Sequence, residues 1–239
     1  MRQRHEVVAV LDRSGSMHGQ VEDVIGGFNT YITNIAKDSA SEGVDTNVTL
    51  VLFDDKVDVV YASRSVESVE PLTRQVFCTR GSTALLDAVG IAIQKCKDSI
   101  SKQPNALDNA LDNYEPEQTT VTFAIFTDGE ENASTKHSRE EVAESIKELS
   151  DNGWTFLYLG ADQDKWCAER AAGALNIAFG NTRAYSKSAN DFDTTFSVMS
   201  AGTTKRLRDS KIGINDTVTF FAEAEAELVD AESKDNPTI

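Results

Sequence analysis

Apolar residues gather along this chain in short runs: VVAVL (7–11), VTLVLF (48–53), VDVVY (57–61), VTFAIF (121–126), TFLYL (155–159) and LNIAF (175–179). Most of the runs are continuous rather than alternating, as strands covered on both faces require, and they predict a mainly parallel sheet. Between them the apolar spacing lengthens to three and four. Val21, Val24, Ile25, Phe28, Ile32 and Ile35 make one stripe, and Leu85, Val89, Ile93 and Cys96 make another, so each segment is predicted to be an amphipathic helix. A third helix is announced by Ser138 and Glu141, at the spacing of a capping box, ahead of Val142, Ile146 and Leu149. Strands alternating with helices predict an α/β, doubly wound domain around a six-stranded sheet. One link breaks the alternation. Only DDK separates the runs 48–53 and 57–61, too little for a crossover, so the second run is predicted to be an antiparallel edge strand.

The pattern also divides the chain. The domain is expected over 1–208, with its core at 5–180 and a helix around 189–208. The polar stretch 98–118, DSISKQPNALDNALDNYEPEQ, carries two prolines and an ALDN duplication and reads as a surface insertion with one helical turn. Residues 209–239 read as an extension, in which TVTFF is either a strand or a docking segment and the last dozen residues are a solvated acidic tail.

Candidate chemistry lies where two apolar runs end in carboxylates. VVAVL is followed by Asp12, Ser14 and Ser16, whose spacing of two aims them the same way in an extended loop. VTFAIF is followed by Asp128 and by Gly129, which permits a tight turn. In an open parallel sheet, ligands sit beyond the carboxyl ends of the strands where connections leave in opposite directions, and these two strands are expected to be neighbours there. The segment TRGSTALLDAV adds Thr83 at the start of a helix, on a loop able to fold over the same crevice. Asp12, Ser14, Ser16, Thr83 and Asp128 form an oxygen-only set, which selects Mg²⁺, with Mn²⁺ or Ca²⁺ as alternatives, over zinc or copper. Neutral hydroxyls leave such a cation electrophilic, able to take one further anionic ligand.

Other residues have plainer readings. An Asp or Ser before a helix is an ordinary N-cap, and Asp54 and Asp55 in DDK are turn chemistry. Glu130, Glu131 and Asn132 either shape what approaches a metal or merely begin a loop. His18 reads as a solvated loop residue, Trp154 and Trp166 as core or near-core packing, and Lys205, Arg206 and Arg208 as the basic end of a helix.

Composition narrows the function classes. A formal charge of −16 over 239 residues and a pI near 4.5 oppose sequence-independent binding to nucleic acid or to a membrane surface, because lysine and arginine supply most of such binding. The opening MRQRHEVVAV lacks the apolar stretch of a signal peptide and no window reads as a spanning helix, so a cytoplasmic location is expected. Cys78, Cys96 and Cys167 are widely separated and read as small buried hydrophobes rather than a disulfide framework or metal knuckle. No GxxxxGK[ST] loop occurs, nor a GxGxxG after a strand. A phosphate-transferring enzyme of the haloacid-dehalogenase type needs a second carboxylate two residues after the first, and Ser14 stands there.

The string DRSGSM, with the threonine of GST and the aspartate of TDG, resembles the von Willebrand factor type A domain. The metal-ion-dependent adhesion site of that family has the pattern DxSxS, then Thr, then Asp, matched by Asp12, Ser14, Ser16, Thr83 and Asp128. The resemblance implies that the serines and threonine contact a cation, that the aspartates act directly or through water, and that an open position accepts a carboxylate from a partner protein. The phrases VLDRSGSM, GGFNTYI, VTLVLFDD, RGSTALLDAVG and FTDGEENAS are similar to stand-alone cytosolic members of bacteria and their phages. The expected function is a divalent-metal-dependent protein-binding module, an adaptor or scaffold and not an enzyme, whose partner offers an Asp or Glu. Self-association through the same site is one alternative and a Mg²⁺-dependent phosphate hydrolase another.

Overall fold

Every residue from His5 to Asp12 is buried, as the continuous apolar run requires of a strand with neighbours on both sides and helices on both faces. The structure, a computed structural model, describes residues 3–102, 118–128, 131–161, 165–186, 188–214 and 217–235. The central strand is β1 (Gln3–Asp12), parallel to β2 (Asp45–Phe53) on one side and to β4 (Gln118–Thr127) on the other. With β3 (Val57–Ser65), β5 (Trp154–Ala161) and β6 (Thr182–Tyr185), the sheet order is β3-β2-β1-β4-β5-β6. Only β3 is antiparallel, at the edge, as the three-residue link predicts. The connections leave β1 and β4 in opposite directions. The topological switch therefore falls between these two strands.

Helices α1 (Val21–Glu42), α5 (Ala189–Lys211) and α6 (Phe220–Asp235) cover one face, and α2 (Leu85–Ser101), α3 (Arg139–Asp151) and α4 (Lys165–Gly173) the other. The stripe from Val24 to Ile35 is buried against the first face and the stripe from Leu85 to Cys96 against the second. Helix α3 carries the predicted capping box: the Glu141 amide donates to Ser138 Oγ, and the Ser138 amide donates to Glu141 Oε2 at 2.8 Å. Where α1 crosses α5, a Cβ on Gly27 would overlap the Phe196 ring, so only glycine permits this approach.

The sixth strand is not the predicted run 175–179. Leu175 and Ile177 are buried in the core of the second face as the chain leaves α4, and Asn176, at φ 58°, turns it in the left-handed region. Strand β6 starts only at Thr182. Helix α2 runs on to Ser101, so the first residues of the expected insertion are helical, while 103–117 lie outside the described residues. TVTFF is the docking segment rather than a strand: Phe220, Phe221 and Ala224 are buried with the core of α1 and α5. The helix they begin continues to Asp235, into the stretch expected to be a solvated tail. Lys205 pairs with Glu223 at 2.9 Å and Arg208 with Glu227 at 2.8 Å, so these cations fasten α6 to α5 rather than merely ending a helix. Arg206 is buried, its Nη2 donating to the Gly153 carbonyl at 3.4 Å.

Trp154 is buried and stacks on Phe156, but Trp166 is 65 % exposed beneath the Arg170 guanidinium. It projects from the start of α4, outside the core. Of the cysteines only Cys96 is buried, and Cys78 is exposed and Cys167 half-buried. Among the described residues no helix is long and apolar enough to cross a membrane.

Candidate metal centre

The carboxyl ends of β1 and β4 meet at the switch point, with Leu11 opposite Phe126. Asp12 is the last residue of β1 and is fully buried. Its Oδ1 accepts the Ser14 amide at 2.7 Å, and its Oδ2 accepts the Thr127 hydroxyl at 2.7 Å. Ser14 Oγ lies 3.0 Å from Ser16 Oγ, and the Ser16 hydroxyl donates to Asp128 Oδ1 at 2.6 Å. One run of hydrogen bonds thus joins Asp12, Ser14, Ser16 and Asp128. Met17, buried in the core of α1, anchors the 3-10 turn (Gly15–Gln20) that follows.

Thr83 stands on a separate loop, fastened to the DxSxS loop by its neighbours. The Gly15 amide donates to the Gly81 carbonyl at 3.2 Å, and the Arg80 amide to the Arg13 carbonyl at 2.9 Å, so this loop is stitched to the DxSxS loop. Gly81 sits at φ 66°, in the left-handed region that favours glycine, and a Cβ there would push against the Asp55 carboxylate. Thr83 itself is buried, with its amide donating to Asn132 Oδ1 at 2.9 Å and its carbonyl accepting the Asn132 and Ala133 amides. Asn132 therefore ties the threonine loop to the chain beyond Asp128.

Beneath the site lies a second polar cluster that the sequence reading missed. Alternation turns Arg13 away from Asp12. Its Nε donates to buried Asp54 at 2.8 Å, and it also pairs with Asp58. Arg80 donates to the same Asp54 oxygen at 2.8 Å. Asp54 is thus turn chemistry with an added duty, holding two loops against the β2–β3 link. Glu131 turns inward, accepting the Leu86, Ala133 and Ser134 amides, so it caps α2 and shapes the 131–134 turn. Glu130 lies outside the described residues. His18 is exposed, with Nδ1 3.2 Å from Thr79 Oγ1.

The electrostatics of the two buried aspartates differ. Burial pushes the Asp12 carboxyl above its ordinary range; hydrogen bonds from Thr127 and Ser14 oppose this, and the nearby Asp128 carboxylate adds to it. Burial pushes Asp54 up as well, but the Lys56 amide, Arg80 and Arg13 together hold it below the ordinary range. No cationic side chain among the described residues neutralises Asp12. Nor does any group of three or more His, Cys, Asp or Glu among them gather in a form that could hold a metal. A cation at this crevice would therefore rest on two carboxylates and hydroxyl oxygens, and that donor set suits a hard divalent ion.

Solved structures share the architecture. The PilB minor pilin from Streptococcus sanguinis matches with a TM-score of 0.60 at 12% identity, over 87% of this chain and 63% of that one. Proximal thread matrix protein 1 from the mussel byssus matches at 0.56 and 14% identity, over 84% of this chain and 48% of that one, and another structure of that mussel protein has a zinc-occupied MIDAS motif. A von Willebrand factor type A protein from Catenulispora acidiphila matches at 0.50 and 18% identity, over 85% and 43%. This chain thus spans only part of each, and at these identities the likeness is one of fold. No curated protein matches it in sequence. The family model described as von Willebrand factor type A domain matches residues 6–199, and the chain belongs to that family.

Proposed function

We propose that this protein is a divalent-metal-dependent protein-binding module whose cation, held by Asp12, Ser14, Ser16, Thr83 and Asp128, accepts an aspartate or glutamate of a partner. The observation that carries this reading is Asp12: a fully buried carboxylate beside a second one, fixed by hydroxyl and amide donors, with no cationic side chain among the described residues to offset it. Mg²⁺ is the expected ion, with Mn²⁺ and Ca²⁺ as alternatives. When bound, the cation supplies a Lewis-acidic position for a carboxylate. The chain itself fixes Asp12 from two sides, brings in Thr83 through the Asn132 tie, and frames the opening with residues 13–19, 79–83 and 131–135. An adaptor rather than an enzyme fits the donor set, because Ser14 occupies the place where a phosphate-transferring site of this shape needs its acid–base carboxylate.

The test is capture of interacting proteins from the native cell with Mg²⁺ or EDTA, using wild type and a Ser14→Ala, Ser16→Ala double variant. The captured protein is then titrated against wild type and Thr83→Ala. Mg²⁺-dependent capture that both variants weaken supports the reading. Affinity that survives EDTA and the Thr83 substitution overturns it. Size-exclusion profiles with Mg²⁺ and with EDTA show whether the partner is a second copy of this chain.

A further inference from the structure

Tyr185 ends β6 at the carboxyl edge of the sheet, in register with Ala161 of β5, one position on from Gly160, which lies opposite Thr127 of β4. Following that register across the sheet puts Tyr185 level with Asp128, two strands away. Two strand spacings come to about 10 Å, a gap that a tyrosine and an aspartate side chain span between them. The residue of β5 at this level is Ala161, whose side chain is a single methyl group. Phe126, Leu159, Ala161 and Tyr185 all belong to the core on the α1 and α5 face. Asp128 follows the end of β4, and its Oδ1 accepts the Ser16 hydroxyl, whose neighbour Met17 lies in that same core.

Tyr185 is 3 % exposed, and its ring meets Phe192 edge-on at 4.8 Å. Its hydroxyl is buried and has no hydrogen-bond partner among the described residues. A buried donor of this kind costs free energy until it finds an acceptor. Burial first, and then the nearby Asp128 and Asp12 carboxylates, push this hydroxyl far above the ordinary tyrosine range.

We propose that Tyr185 is a positioning residue of the cation site, its hydroxyl donating to the Asp128 carboxylate, directly or through one water, once a divalent ion is bound. The inference rests on the metal-dependent reading above and adds a residue outside the DxSxS, threonine and aspartate set. Groups that orient a metal's ligands commonly change its affinity by an order of magnitude or more.

Tyr185→Phe keeps the ring on Phe192 and removes only the hydroxyl. Chelator-stripped wild type and variant are titrated with Mg²⁺ by calorimetry, and both metal-free proteins are melted. The expected result is a Mg²⁺ dissociation constant raised on the order of 10-fold in the variant. Its metal-free melting temperature should be equal to or above that of wild type, because an unpartnered buried donor has gone. Equal dissociation constants in the two proteins overturn the role of Tyr185 while leaving the metal site standing. A lower metal-free melting temperature in the variant also overturns it, by showing that the hydroxyl is already bonded without metal. A wild type that takes up no cation overturns this proposal together with the function it rests on.

Discussion

Asp12 and Asp54 stand at the ends of neighbouring strands, both fully buried, and their surroundings are opposite. Asp54 receives two guanidinium groups and a backbone amide. Asp12 receives a hydroxyl and an amide, and beside it lies another carboxylate. Among the described residues, the chain thus supplies cations to one aspartate and none to the other. Arg13 makes the contrast sharp, since it is adjacent to Asp12 in sequence yet bonds to Asp54 and Asp58. A buried ion pair of this kind holds loops in place, whereas a buried carboxylate without a cation is costly in its charged form.

Breaking the paired side of the comparison should have the largest effect. Asp54→Asn leaves buried Arg13 only the half-exposed Asp58 as a charge partner, and removing one member of a buried pair costs up to about 3–5 kcal/mol. Denaturant unfolding of the metal-free proteins should show that loss for Asp54→Asn and no comparable loss for Asp12→Asn. Equal losses would erase the distinction.

The next effect concerns the unpaired side. At free Mg²⁺ about 100-fold above its dissociation constant, linkage stabilises the fold by about 2.7 kcal/mol, on the order of 5–10 °C for a chain of this length. Thermal melting with and without Mg²⁺ should show this shift in wild type and a smaller one in Thr83→Ala. An undiminished shift in the variant would remove Thr83 from the site.

Acid sharpens the comparison further. Asp54, Asp87 and Glu131 are all held below their ordinary ranges: burial opposes this in each, while the Lys56 amide and two arginines prevail at Asp54, backbone amides with the His137 side chain at Asp87, and backbone amides with the Ser134 hydroxyl at Glu131. A carboxyl with a depressed folded value stabilises the fold above its unfolded value near 4, and that contribution is lost as the pH falls through the folded value. Stability should therefore fall on acidification below about pH 4, and the fall should be shallower in Asp54→Asn. A variant as steep as wild type would mean that Asp54 is not held down. The smallest effect belongs to Arg80→Ala. Its guanidinium is half-exposed while Arg13 still pairs with Asp54, so its melting temperature should drop less than that of Asp54→Asn.

Much of this was legible in the sequence because it is local or periodic. The stripes Val24–Ile35 and Leu85–Cys96 face the core as their spacing demands, and DDK forces β3 back along β2. The convergence of Asp12, Ser14, Ser16 and Asp128 follows from two apolar runs ending in carboxylates at a switch point. Leu175 and Ile177 misled because an apolar stretch leaving a helix has the composition of a strand. Helix α6 was hidden by its acidic surface, since only Phe220, Phe221 and Ala224 of the described side chains on it are buried. The Arg13–Asp54 pair joins residues 41 apart. The isolation of the Tyr185 hydroxyl is a fact of packing. Neither leaves a mark in local spacing.

The central claim is that the crevice at Asp12 takes a divalent cation which the chain's own arginines do not replace. Calorimetric titration of Mg²⁺ into chelator-stripped wild type and Asp12→Ala tests it most directly. Saturable binding of one ion to wild type, lost in Asp12→Ala while the variant remains folded, is the predicted result. Binding of equal affinity in both proteins, or none in wild type with Mg²⁺, Mn²⁺ or Ca²⁺, would contradict it.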